Sequence, residues 1–344
     1  MDRVGCDWST LSETKWGDLY TKLLDPIECV AGALDEFVIR VFLASGMLPD
    51  APEKVILTHL TNMVSIVHSR YNENNYHSFT HACHVLANCA KVLEDMVAQY
   101  PNFSKAEGLA LLFAALIHDI GHLGVSNDTL VNESHSLALL YSDQSVAEMH
   151  SLASGFEVID NANNDIRVGF SPDERKIFRS TVIELVLSTN ICDYERQRLL
   201  QHKLNIVSET KLVDGRADLS AYTSRLSIFN LVIRAADVGA SMQNAETSRI
   251  WSHRFFLEQK DARIAARGAK GDDSEFYCQH GKFMERHAAA LAASLAATCA
   301  VSSPLSREIV DTTHKNIEVW LIEGPSIVKS WCTASSSAEN VPFS

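Results

Sequence analysis

The sequence predicts an all-α fold built as a single multi-helix domain, and three observations lead there. Glycine (15) and proline (8) are scarce among the 344 residues, at about half their usual combined share. That leaves too few turn formers for the many short strands of a sandwich or barrel. Apolar residues recur at helical spacing in one segment after another, and no internal repeat or long linker separates them. Hydrophobic residues at 46% and charged residues at 21% are ordinary for a globular chain and exclude global disorder.

Taken in order, Leu34, Val38, Val41 and Phe42 form the first apolar stripe, and Leu57, Leu60, Met63 and Val67 the second. Leu86, Val92, Leu93 and Met96 form the third. The run 111–117 is apolar all round and predicts a buried helix, with Ser104 and Glu107 spaced as a capping box ahead of it. Ser171-Pro172-Asp173-Glu174 supplies a cap, a first-turn proline and acids at the positive end of a helix running through Phe178, Val182, Leu185 and Val186. Residues 228–236 and the alanine-rich 288–300 complete the helical pattern. Stretches 209–220 and 266–274 read as loops and 334–344 as a frayed tail. The expected domain therefore covers 1–333, with a core near 55–325 and an N-terminal helical subregion over 10–70.

A net charge of −13 argues against a grip on nucleic acid or anionic lipid. At face value it also argues against any anionic substrate. The longest apolar run, 109–117, is far short of the roughly eighteen residues of a membrane span. Met1-Asp2-Arg3-Val4 does not open a secretory signal, so the expected location is cytoplasmic. The eight cysteines form no C-x-x-C pair and are expected as free thiols.

Two segments carry chemistry. In Tyr76-His77-Ser78-Phe79-Thr80-His81, the histidines are spaced i, i+4 and would share one helix face. In His118-Asp119-Ile120-Gly121-His122, a second such pair follows the buried apolar run directly, with an aspartate beside its first histidine. Imidazole nitrogen and carboxylate oxygen converging on one point suit zinc, iron or manganese, and an aspartate can bridge to a second metal. Asp237, at the end of the apolar helix 228–236, is the expected further acidic ligand, because a buried carboxylate calls for a cation. The spacing points to a His-Asp metal phosphohydrolase.

Tyr-His-x-x-x-His-Ala-x-x-Val, His-Asp-x-x-His-x-Gly-x-x-Asn and the later Ala236-Asp237 resemble the catalytic domain of class I 3′,5′-cyclic nucleotide phosphodiesterases. Segments 136–141 and 148–152, Leu187-Ser188-Thr189 and Trp251-Ser252-His253-Arg254 are similar in order and spacing. Divergence elsewhere resembles a protozoan, kinetoplastid C-type member. The resemblance implies that His81, His118, Asp119 and Asp237 hold a tight metal, usually Zn2+. Asp119 would bridge to a second, Mg2+ or Mn2+. His122, Glu148 and Thr189 would hold waters around the second metal. His77 would be the general acid, oriented and kept charged by Glu258, with Gln279, Phe283 and Tyr76 around the base. The implied reaction is hydrolysis of cAMP, with cGMP also accepted, to nucleoside 5′-monophosphates in signal transduction, leaving oligomeric state open.

The chain departs from that pattern at Ser78, His84 and Asn190, where the family usually has Asn, Asp and Asp. The family's Gln-x-Gly-Phe run reads Gln279-His280-Gly281-Lys282-Phe283 here, so Gln279 and Phe283 stand at i, i+4, while a gap-free register puts His280 at the glutamine position. Ala240 stands where adenine-selective members of the family often carry Asn, and Ser248 where a tyrosine often pins the glutamine amide; an amide free to rotate would accept adenine or guanine. A phosphohydrolase of linear nucleotides, a non-catalytic nucleotide-binding module and an interaction protein remain as alternatives.

Overall fold

This computed structural model describes residues 33–100, 103–210, 218–267, 275–299 and 304–338, and no strand occurs among them. The three apolar stripes become α1 (Ala33–Ala44), α2 (Glu53–Arg70) and α3 (Phe79–Gln99). In α2 the buried face is Ile56, Leu60, Met63, Val64 and Val67, whereas Leu57 is 42% exposed. Leu57 was expected inside; one residue's rotation lets Ile56 and Val64 take the core instead. Next come α4 (Lys105–Ile117), the short α5 (Asn127–Asn132) and α6 (Ser136–Leu140), then α7 (Val146–Asp160) and α8 (Pro172–Ser188). The order continues with α9 (Tyr194–Glu209), α10 (Tyr222–Asp237), α11 (Ala245–Arg267), α12 (Glu275–Phe283), α13 (Ala289–Cys299) and α14 (Pro304–Ala338).

The core is organised around α4, buried at every position from 106 to 117, which packs on α3, α8 and α7. A helix apolar on all sides has no stable place except among other helices. Close approach depends on small residues at two points: a Cβ on Gly108 would run into Met47, and one on Gly155 of α7 into Ile117. Alongside, α10 packs on α3, α9 and α13. Both α4 and α10 deliver their C-terminal ends to the same region, where the unpaired carbonyls of a helix end carry partial negative charge.

Capping differs between two predicted helix starts. Ser171 and Glu174 form the reciprocal box expected for α8. Ser104 makes no side-chain cap on α4, and Glu107 does not supply the reciprocal bond of the box, since its two oxygens accept from Arg225 Nε at 2.6 Å and Nη2 at 2.9 Å. A charge-assisted fork to a guanidinium outcompetes a single neutral cap bond. Between α12 and α13, Met284–Ala288 form a π-turn, which takes up one residue more than an α-turn and resets the helix phase.

The expected loops 211–217 and 268–274, residues 10–32 of the N-terminal subregion and the tail 339–344 lie outside the described residues. The last helix continues to Ala338, into the stretch expected to fray. Cys89, Cys192 and Cys278 are free thiols. No described helix is long and apolar enough to cross a membrane.

Candidate active site

The two histidine pairs do not sit on helix faces as their spacing suggested. Ser78, extended at φ −127°, is the N-cap of α3, so His77 stands outside the helix and His81 in its first turn. Likewise α4 ends at Ile117, His118 is its C-cap, and Gly121 at φ +75° turns the chain before His122. A cap and a left-handed glycine interrupt each pair, and His77 and His122 are thereby freed to meet each other. Their rings stack with centroids 3.9 Å apart.

His81, His118 and Asp237 bring ligand-capable atoms within 4.8 Å of one another, and Asp119 joins them. His81 Nε2 lies 3.0 Å from Asp237 Oδ1, and His118 Nε2 lies 3.1 Å from Asp119 Oδ2 and 3.4 Å from Asp237 Oδ1. Both histidines are buried. His118 Nδ1 is 2.9 Å from the Ala115 carbonyl, which obliges it to carry the hydrogen and leaves a lone pair on Nε2. His118 Nε2 and Asp119 Oδ2 are buried without a hydrogen-bond partner. Lone pairs of two imidazoles and two carboxylates facing one point, beside two helix C-termini, fit a divalent cation. Without a cation a proton takes its place: burial alone would lower His118 and raise the carboxyls of Asp119 and Asp237, but the carboxylates hold His118 well above its ordinary range, and His118, with His77 and His81 respectively, holds them well below theirs.

His77 is held by Glu258, contributed by α11 from 181 residues away. One Glu258 oxygen pairs with His77 Nδ1; the other accepts the backbone N–H of Tyr76 at 2.8 Å and of His77 at 3.0 Å. Burial would lower the imidazole, yet Asp119, Glu258 and Asp237 outweigh it and raise His77 to about 9. Its stacking partner His122 is pushed down to about 4 by burial and by the charge on His77. His122 Nδ1 accepts from the Gly124 N–H at 3.0 Å. A charged ring thus lies on a neutral one.

His77, His118, Asp119, His122, Asp237 and Glu258 line one cavity of about 290 Å³, near the lower end for small-molecule sites. Glu148 and Thr189 are on its wall. Glu148 accepts from Asn127 Nδ2 at 2.9 Å, and burial raises its carboxyl. Thr189 spends its hydroxyl hydrogen on the Val186 carbonyl at 2.8 Å, leaving lone pairs for a donor. From the metal cluster the wall continues through Tyr76, whose ring sits 4.6 Å from His81 and 5.2 Å from Phe255, to His280 and Phe283.

Gln279 is not there. It is exposed and does not line the cavity, which corrects the expectation that it shares a wall with Phe283. The buried face of α12 centres on Phe276 and His280 and continues into Met284, and Gln279 lies roughly a quarter-turn off it. His280, 8% exposed, stacks on Phe276 and lies 2.9 Å from Ser252 Oγ through Nε2. Ala240 lines the cavity, while Ser248 is buried away from it. Ser252, Gln259 and Asn127 also face the site and were not read from the sequence. Of these, Asn127 closes the His-Asp-x-x-His-x-Gly-x-x-Asn motif and Ser252 lies inside Trp251-Ser252-His253-Arg254, whereas Gln259 had no signal.

A helical chain that gathers two histidines and two aspartates at the base of a pocket, beside a carboxylate-held histidine, defines the class of His-Asp metal-site proteins. The sequence pattern of 3′5′-cyclic nucleotide phosphodiesterases matches residues 76–294, and the chain belongs to that family. It is 32% identical over 294 residues to mouse 3′,5′-cyclic-AMP phosphodiesterase 4C, covering 83% of this chain and 42% of that protein. It is 31% identical over 208 residues to the probable 3′,5′-cyclic-AMP phosphodiesterase pde-4 of Caenorhabditis elegans, covering 60% of this chain and 30% of that one. A Drosophila melanogaster 3′,5′-cyclic-AMP phosphodiesterase, isoform F, is 33% identical over 240 residues, covering 68% and 34%. The chain therefore spans well under half the length of these curated relatives. The phosphodiesterase domain of a rhodopsin fusion protein from the choanoflagellate Salpingoeca rosetta shares the fold, with a TM-score of 0.74 at 21% identity, covering 95% of this chain and all of that one.

Proposed function

We propose that the chain is a catalytic domain, with its core near 55–325, that hydrolyses 3′,5′-cyclic nucleotides to 5′-monophosphates. The carrying observation is that His118 and Asp119, each with a buried ligand atom lacking a hydrogen-bond partner, line the same cavity as the His77–Glu258 pair. His81, His118, Asp119 and Asp237 would hold Zn2+, with Asp119 also reaching a second ion, Mg2+ or Mn2+. When bound, such cations supply positive charge that acidifies water and offsets phosphoryl charge.

The protein's own groups do the rest. With Nδ1 engaged by Glu258, His77 holds the proton for the leaving 3′-oxygen on Nε2, and its raised affinity keeps that proton in place at neutral pH. Glu148 and Thr189 offer acceptors to water on the facing wall. Tyr76, Phe255 and Phe283 present an apolar slot to a base. Displacement of Gln279 removes the rotating-amide argument for accepting both purines. The His280–Ser252 hydrogen bond replaces it, because it can run either way and leave the serine as donor or acceptor. We therefore retain cAMP as substrate with cGMP also accepted, in a cytoplasmic setting and without nucleic acid as a partner.

Steady-state assays of cAMP, cGMP and linear phosphomonoesters, with defined Zn2+, Mg2+ or Mn2+, test the reading. Turnover of cyclic nucleotides is the expected result; turnover of linear esters alone would transfer the chain to another His-Asp hydrolase activity.

A further inference from the structure

The segment before His77 contains three asparagines in four residues, Asn72-Glu73-Asn74-Asn75, and Asn74 occupies a place that no motif marks. Its amide nitrogen donates to the His77 carbonyl at 3.0 Å and to the His122 carbonyl at 2.7 Å. Both amide hydrogens are therefore spent, one on each of two loops that are 45 residues apart in sequence and carry the stacked rings. Asn72 Nδ2 adds a second donor to the His122 carbonyl at 2.8 Å. The space beneath is close: a Cβ on Gly124, at φ +72°, would lie 3.2 Å from Asn74 Oδ1 and 3.6 Å from Glu258 Cγ.

Neither histidine is inside a helix, so no ladder of backbone bonds sets its position. The carboxylate of Glu258 fixes the N–H side of the His77 segment, and Asn74 fixes the carbonyl side. We propose that Asn74 is a positioning residue for the general acid, holding the His77 ring against His122 at the distance from which its proton reaches the leaving oxygen. The inference rests on the phosphodiesterase reading above and adds to it a residue that touches neither metal nor substrate. General-acid help matters in proportion to how poor the leaving group is. A residue acting through His77 therefore matters for an alkoxide and hardly at all for an aryl oxide, which departs unprotonated.

The test compares Asn74→Ala and Asn74→Asp with the parent on a cyclic nucleotide and on bis(p-nitrophenyl) phosphate, with bound metal and thermal midpoint measured for each. Asn74→Ala is expected to lower kcat on the cyclic nucleotide about ten- to a hundredfold, as a misplaced catalytic group does, and to leave KM and aryl-ester turnover within about threefold. Asn74→Asp, which sets carboxylate oxygens against two carbonyls, is expected to lose more on the cyclic nucleotide and keep the same selectivity between substrates. Equal loss on both substrates, or loss of bound metal, would make Asn74 a scaffold residue only and overturn the inference while cyclic nucleotide turnover by the parent stands. A parent inactive on every cyclic nucleotide overturns the activity reading and the inference together.

Discussion

His77 carries a charge that several neighbours sustain. Burial disfavours it, while Asp119, Glu258 and Asp237 raise the imidazole to about 9 from 6.5. A cation on Asp119 and Asp237 offsets their share, so in the loaded protein Glu258 is the main support that remains. On the proposed general-acid role the protonated form is the active one, so kcat/KM is expected to fall as pH rises through a limb between 6.5 and about 9. Glu258→Gln should move that limb downward in a pH–rate profile, and a limb that moves upward would remove Glu258 from the role. His77→Ala should cost about 10²- to 10⁴-fold in kcat with metal content unchanged. Gln279 and His280 make a sharper pair. Gln279→Ala is expected to leave KM for either cyclic nucleotide within about twofold, as surface changes do. His280→Ala, which empties a buried site and strands Ser252, should raise KM for both; the reverse pattern would restore Gln279 to the pocket.

At the scale of elements, the site is made from endings. α4 and α10 stop at the metal cluster, α3 starts there, and the irregular residues between them aim the side chains. Gly121 shows how little freedom that leaves: φ is +75° and an added Cβ would lie 2.8 Å from His150 Nε2. Gly121→Ala is therefore expected to cost about 1–3 kcal/mol and to weaken His122 stacking on His77. Urea unfolding and cyclic nucleotide turnover should fall together, and an unchanged unfolding midpoint would show that the turn relaxes freely. The π-turn Met284–Ala288 acts likewise on a pattern, since it lets α12 bury Phe276 and His280 while α13 buries Leu291, Ala292 and Leu295.

For the whole molecule, a cation at the site would tie together three helices that share no local sequence. Binding to the folded state alone stabilises by about 2.7 kcal/mol at a hundredfold excess over Kd. Chelation is expected to lower Tm, and His81→Ala to abolish the difference between chelated and loaded samples. A Tm indifferent to chelator would mean that the cluster is held by protons rather than metal. The net charge of −13 sits easily with an anionic substrate on this view. Asp119 and Asp237 face the cavity, where bound cations would reverse the local sign.

Local chemistry by itself determined the helical class and singled out the His-Asp segments that meet at the cluster: periodicity needs only neighbouring residues, and His-Asp adjacency is visible at a glance. Asp237 was legible because a carboxylate ending an apolar helix is unusual. Helix phase and loop geometry were decided only in three dimensions, because they depend on groups far apart in the chain. Glu258 reaches His77 across 181 positions, and Arg225 takes Glu107 from a cap across 118. The same competition for burial turned Leu57 outward, displaced Gln279 in favour of His280, and set Asn74 between two loops where no spacing rule could have placed it.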